Sequence, residues 1–144
     1  MHSDIQCAIC SSNNVKKIRD RFAAKYVNAP IVLDSVEMYR CEDCGEAFLS
    51  PEQAKDVSKA VKAAARTRLG LLSPARILEI RRKLDLSQEE LESLLGLGPK
   101  VVTRWENGRV LQSKAADDVL RVMERLPEAV SVLKGIRESR RAPG

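Results

Sequence analysis

SQEELESLLGLGPKVVTRWENG, residues Ser87 to Gly108, is the stretch that decides the architecture of the C-terminal part. It holds the chain's one tryptophan, set between Arg104 and Glu106 just ahead of Asn107-Gly108. Ser87-Gln-Glu-Glu90 has the form of a capping box, in which a hydroxyl and a carboxylate three residues apart each satisfy a free backbone N–H. Leu91, Leu94 and Leu95 follow at helical spacing. Gly96-Leu-Gly98 reads as a short turn, Pro99 as the first position of the next helix, and Asn107-Gly108 as its glycine stop. Along that second helix Val101, Val102 and Trp105 fall on one side, with Lys100, Thr103, Arg104 and Asn107 on the other. The indole is therefore expected in the core beside Val102, Leu91 and Leu95, and Lys100 and Arg104 are expected to face out.

Working outward, Ser73-Pro74 caps a preceding helix to about Lys83, with Ile77, Ile80 and Leu84 inward. Beyond Gly108, a helix runs from about Ser113 through Leu126, and another opens at Pro127 carrying Val130, Leu133 and Ile136. From Ser73 onward the chain thus reads as five helices. Further back, Ser50-Pro51 opens a helix to about Arg68 with a narrow stripe of Ala54, Val57, Val61 and Ala64. Gly70-Leu-Leu-Ser-Pro74 breaks it. The expected division is residues 1–68 as one domain with its trailing helix, 69–73 as linker, and 74–144 as the all-helical domain.

The four cysteines all lie in the first 44 residues, as Cys7-Ala-Ile-Cys10 and Cys41-Glu-Asp-Cys44, with 30 residues between the pairs. Two such turns present four sulfurs to one ion, and the pattern predicts a structural zinc site, one per chain, held by Cys7, Cys10, Cys41 and Cys44. A thioredoxin-like redox pair needs a βαβ context, and none surrounds these cysteines. His2, the single histidine, is expected to be a solvated terminal residue. Between the pairs, Ile18, Phe22 and Tyr26 fit helical and extended spacing equally. Val36, Met38 and Arg40 alternate with Glu37 and Tyr39, and Asn28-Ala-Pro30 supplies a turn, which favours a β-hairpin. The fold class expected is α+β: a small four-cysteine, zinc-bound β-hairpin domain followed by an all-α five-helix domain.

Composition narrows the function. Hydrophobic residues make up 44% and aromatics 3%, so a core is available and must be built from Leu, Val, Ile and Ala. No apolar run approaches the ~18 residues of a membrane span, and the start lacks a signal peptide's pattern, so a cytoplasmic protein without a membrane partner is expected. Residues 1–50 hold six Lys/Arg against seven Asp/Glu, and residues 51–144 nineteen against thirteen, so the basic character is C-terminal. Four thiolates on a divalent ion would add a net charge of about −2 to the N-terminal part. Closed all-cysteine coordination leaves no position for water, so the chain is not expected to be an enzyme.

Lys100 and Arg104 stand one turn apart on the exposed side of their helix. A guanidinium there suits the O6 and N7 of guanine, and an ammonium makes the same contact less selectively. On its own the pair equally fits a solvated basic face. Ser87–Gly108, however, resembles the helix-turn-helix of the Cro and phage-repressor family in its Ser-Gln-Glu-Glu-Leu start, Gly96 in the turn and Trp-Glu-Asn-Gly stop. That resemblance implies that the second helix lies in the DNA major groove. It puts Lys100, Arg104 and the neighbouring Thr103 on the base-reading side, with Pro99 limited to apolar contact. It puts Gln88, Asn107 and Arg109 on phosphates, and makes Arg81 with Glu106 a structural ion pair. The whole chain, with its paired-cysteine finger, the CEDCGEAFLSPEQA stretch and PEAV after the fourth helix, resembles the MqsA-type antitoxins.

That second resemblance implies a DNA-binding repressor that is the antitoxin of a type II toxin–antitoxin pair. Its zinc domain would bind and neutralise an mRNA-cleaving toxin, and its C-terminal domain would form a homodimer on an operator palindrome. Val130, Leu133 and Ile136 are the candidate dimer contacts, with ordinary core as the competing role. The alternative is a stand-alone zinc-containing transcriptional regulator with no toxin partner. Where the family shows a Gly-rich turn followed by Asn, this chain has Gly-Leu-Gly-Pro-Lys100, so a different operator sequence is expected.

Overall fold

A computed structural model describes residues 5–141, and His2 lies outside the described residues. The elements are β1 (Val15–Tyr26), β2 (Ala29–Cys41), β3 (Ala47–Phe48), α1 (Pro51–Leu69), α2 (Pro74–Lys83), α3 (Gln88–Leu95), α4 (Val101–Glu106), α5 (Lys114–Arg125) and α6 (Ala129–Arg141). The α+β class is as expected. The chain forms two compact units, Met1–Ala65 and Arg66–Gly144. The division therefore falls inside α1, a few residues ahead of the linker read from the sequence.

In the first unit β1 and β2 form a long antiparallel hairpin, and β3 adds to β2 through Tyr39 opposite Phe48. Ile18, Phe22, Ala24 and Tyr26 take the better-covered parity of β1 while Arg19, Arg21 and Lys25 are exposed, which settles that segment as a strand. The reversal is tighter than Asn28-Ala-Pro30 suggested. Val27 and Asn28 alone turn the chain, both left-handed at φ 49° and 74°, as a two-residue hairpin loop requires. Asparagine tolerates that backbone, whereas it is strained for a β-branched residue. Pro30 instead sits inside β2, opposite Lys25.

The ladder is interrupted once. Asp20 faces Val36 and Phe22 faces Leu33, so Asp34 and Ser35 together oppose Arg21. This bulge resets the alternation of β2. Ile31 and Val36, five residues apart, are both buried because of it, along with Met38.

Helix α1 starts as Ser50-Pro51 implied, and Gln53 completes a reciprocal box. Its N–H donates to Ser50 Oγ (3.1 Å), and Ser50 N–H donates to Gln53 Oε1 (3.0 Å). Its buried apolar positions are Val57, Val61 and Ala65, with Arg66 buried beside them, while Ala54 is exposed and Ala64 half-buried. The covered stripe thus advances in steps of four, one residue off the alanines chosen from the sequence at each end.

The second unit is the expected five-helix body around Leu72, Ile77, Ile80, Leu86, Leu91, Leu94, Val102, Trp105, Leu120 and Met123. Ser73 caps α2 through the Arg76 N–H and Ser113 caps α5 through the Ala116 N–H. Ser87 and Glu90 form the full capping box of α3. Val130 and Leu133 of α6 pack partly against the core, whereas Ile136 is 41% exposed.

Segment 70–72 is held tightly within this unit. Leu72 N–H donates to Asp117 Oδ1 (2.8 Å), Gln112 Nε2 donates to Leu72 O (2.8 Å), and Arg121 Nη2 donates to Gly70 O (2.9 Å). Asp117 is buried, and it also accepts from Gln112 and from Arg121. Burial pushes its carboxyl upward, but the Leu72 amide, Arg121 and Gln112 outweigh it and hold the group below its ordinary value.

The start of α4 also departs from expectation. Pro99 is not the first residue of the helix after the turn; α4 begins at Val101, and Lys100 is its N-cap. Lys100 has φ 67°, and a left-handed residue interrupts helical dihedrals, so Pro99 stays in the turn.

Candidate metal centre and nucleic-acid interface

The two cysteine pairs form knuckles of the same design. Cys7 O accepts the Ser11 N–H and Cys41 O accepts the Gly45 N–H, each at 2.9 Å. Cys7 N–H donates to Ser12 O and Cys41 N–H to Glu46 O, again at 2.9 Å. The residue after each second cysteine is left-handed, Ser11 at φ 62° and Gly45 at φ 79°. Glycine adopts this backbone freely, and at Ser11 the same turn is made without one. Asp43 ties the knuckles together by accepting from the Ser12 hydroxyl and the Asn14 amide, which hold its carboxyl below the ordinary range.

All four sulfurs lie within 4.8 Å of one another. Cys7 and Cys44 Sγ are 3.6 Å apart, and Cys10 and Cys41 Sγ 3.5 Å. Sulfurs about 2.3 Å from a central ion sit about 3.8 Å from each other in a tetrahedron, so the cluster has the size of a metal site. Backbone amides point inward: Ile9 N–H reaches Cys7 Sγ at 3.4 Å and Cys44 N–H reaches Cys41 Sγ at 3.5 Å.

The thiols are also electrostatically unequal. Amides of Cys10 and Ile9 lower Cys7 to about 7. The Glu46 amide pulls Cys44 down, but burial and the neighbouring Cys7, Cys41 and Cys10 sulfurs prevail and push it up to about 12. Four thiolates do not share so small a space without a cation between them. The cysteines expected to bind metal are therefore brought together and fit one ion.

In the second unit α3, the turn 96–100 and α4 form the second candidate surface. Gly96 ends α3 in the left-handed conformation, φ 69°, with the Leu97 N–H closing back on Glu92 O at 2.8 Å. A Cβ at Gly96 would come within 2.9 Å of the Arg137 guanidinium, whose Nε donates to Leu94 O. Helix α6 thus seals the turn.

In α4 Trp105 is 3% exposed and Val102 is fully buried, while Arg104 is exposed. The rotation read from the sequence is correct. Lys100, Asn107 and Arg109 are exposed as well. Asn107 caps the end of α4, and its Oδ1 accepts the Arg109 N–H at 3.0 Å.

Thr103 and Gln88 are brought together but are occupied within the protein. Thr103 Oγ1 donates to Gln88 Oε1 (2.9 Å), and Gln88 Nε2 donates to Glu106 Oε1 (3.0 Å). Glu106 meets Arg81 edge-on, at 2.7 Å from Nε and 2.9 Å from Nη2, and Arg81 Nη1 also donates to Leu86 O. The implied Arg81–Glu106 pair is therefore present, with side chains 13% and 8% exposed.

One residue escaped the sequence reading. Glu92 is 6% exposed on α3, and its Oε2 accepts the Val102 N–H at 3.0 Å. The available signal was negative: no Ser, Thr, Asp or Asn stands just ahead of α4 to cap it.

The family model for MqsA, described as the antitoxin component of bacterial toxin–antitoxin systems, matches residues 5–137. The chain belongs to the MqsA antitoxin family. Antitoxin MqsA of Escherichia coli (strain K12) is 25% identical over 132 residues, which is 90% of this chain and 100% of that protein. The match to the MqsA family takes in all four cysteines and the whole α3–α4 stretch. No helix among the described residues is long and apolar enough to cross a membrane.

Proposed function

We propose that the chain is the antitoxin of a type II toxin–antitoxin pair and represses transcription by placing α4 in the major groove of an operator. The observation that carries the DNA half is the rotation of α4: Trp105 buried, Arg104 one residue earlier in solvent. Arg104 and Lys100 then read base edges. Thr103 gives its hydroxyl hydrogen to Gln88 and keeps an oxygen acceptor and a methyl for a base. Asn107 and Gln88 each retain an amide N–H for phosphate, and Arg109 adds a charge. A homodimer through α6, where Val132 and Ile136 are exposed, presents two such helices to a palindrome.

In this reading the four-cysteine site holds one structural zinc ion. Thiolate-only closed sites favour zinc, and the ion supplies charge neutralisation and cross-linking rather than chemistry. The zinc unit is the surface that neutralises an mRNA-cleaving toxin. The family membership supports this, and a pull-down with the product of an adjoining short reading frame tests it.

The test of the DNA half is selection from a randomised duplex pool followed by Arg104→Ala. The variant is expected to keep its fold and its salt dependence, and to lose about 1–3 kcal/mol of discrimination at one base pair per half-site. An operator preference unchanged by the substitution removes Arg104 from the reading surface.

A further inference from the structure

Beyond the residues that face the duplex, the geometry points to Glu92 as the positioning residue that sets the start of α4. This rests on the DNA-reading proposal above. The first N–H groups of a helix have no partner within it. At α4 the N-cap is Lys100, which makes no side-chain cap hydrogen bond, and an ammonium offers no acceptor. The missing acceptor comes from the preceding helix. Glu92 projects from α3 among Leu91 and Leu94, is almost fully buried, and takes the Val102 N–H at 3.0 Å.

A buried carboxylate demands a partner, and the positive end of a helix favours a negative one. The bond therefore spans the whole turn, from α3 to the first turn of α4. It does so beside Lys100, whose left-handed backbone is strained for a residue with a side chain. Glu92 fixes where α4 begins and how it is rotated, and so where Lys100 and Arg104 point.

Three variants separate this role from plain stability: Glu92→Ala removes the acceptor, Glu92→Asp keeps the charge but loses reach, and Glu92→Gln keeps an acceptor at full reach. The probes are the duplex best enriched by the wild-type chain and a scrambled duplex of equal length at the same salt. Measurements are made well below the unfolding transition followed by Trp105 fluorescence, alongside hydrogen exchange of the Val102 amide.

Glu92→Ala and Glu92→Asp are expected to speed Val102 exchange and to weaken the enriched duplex roughly tenfold, with the scrambled duplex unchanged. Glu92→Gln is expected to restore most of both. Equal losses on the two duplexes, undisturbed Val102 exchange, or a Gln variant no better than Ala would each overturn the proposal. If Ala does not fold, Asp against Gln carries the comparison. A wild-type chain that enriches no sequence sinks the repressor reading and the reading role of Glu92 with it, while Val102 exchange still decides whether Glu92 caps α4.

Discussion

Cys41→Ser is expected to abolish metal binding and to unfold the hairpin of residues 15–48, leaving the Trp105 unfolding transition in place. Cys41 is completely buried, pairs with Val15 at the end of the long ladder, and anchors the second knuckle through its carbonyl, its amide and its sulfur. The strands contribute few buried apolar side chains, chiefly Ile31, Val36 and Met38, and a unit of this size has little interior to rely on. A structural zinc ion in so small a unit contributes on the order of 10 kcal/mol of apparent folding free energy. Serine keeps the shape but supplies no thiolate. The check is metal content together with amide exchange across β1 and β2. A strong chelator added to the unmodified protein should reproduce the result. Loss of metal with a fully protected hairpin would show that the strands stand without it. Acid should act in the same direction as the chelator, because protons compete with the ion for the thiolates.

Glu106→Ala should destabilise the helical unit by about 3–5 kcal/mol. It leaves Arg81 buried without its partner and strips Gln88 of its acceptor. Replacing both Arg81 and Glu106 by apolar residues of similar volume is expected to recover most of that loss, because the desolvation of both charges disappears with the pair. Denaturant unfolding followed through Trp105, the residue before Glu106, reads the difference directly. A Glu106→Ala loss below about 1 kcal/mol would place the pair among ordinary surface bridges.

The pH dependence has a definite sign. Burial pushes the Glu106 carboxyl upward, but Arg81 and Gln88 prevail and hold it below its ordinary 4.5. Asp117 is likewise held below its ordinary 3.8. Both contributions are fully present above those ordinary values and are lost as the pH falls through the lowered ones. The helical unit is therefore expected to lose stability in acid and to keep it through neutral pH.

Local chemistry was well written into the sequence. Ser50, Ser73 and Ser87 each cap the helix they were read to cap, and Ser113 caps the helix read to start near it, because a hydroxyl ahead of an apolar-periodic run acts within four residues. The rotation of α4 was legible because Trp105 and Val102 are large and share one side. The cysteine cluster was legible because all four cysteines of the chain fall in two Cys-x-x-Cys pairs. What failed depended on partners distant in sequence or on single dihedrals. Ala54 and Ala65 look alike in a helical pattern, and only the tertiary surroundings bury one and expose the other. Pro99 looked like a first helical residue because the left-handed Lys100 behind it carries no signature in its side chain. Glu92 drew no reading from the sequence, since its partner is a backbone N–H ten residues on.

The extra residue at Asp34-Ser35 bears on how this hairpin can change length over evolution. Shortening β2 by one residue at that spot turns the bulge into regular ladder and leaves Ile31, Leu33, Val36 and Met38 on the faces they already occupy. The same loss elsewhere in the strand rotates every side chain on one flank to the wrong side of the ribbon. Relatives that drop a single position here can thus be viable where a neighbouring gap is lethal, and an alignment that slides its gap by two or three columns will assign the wrong residues to the interior.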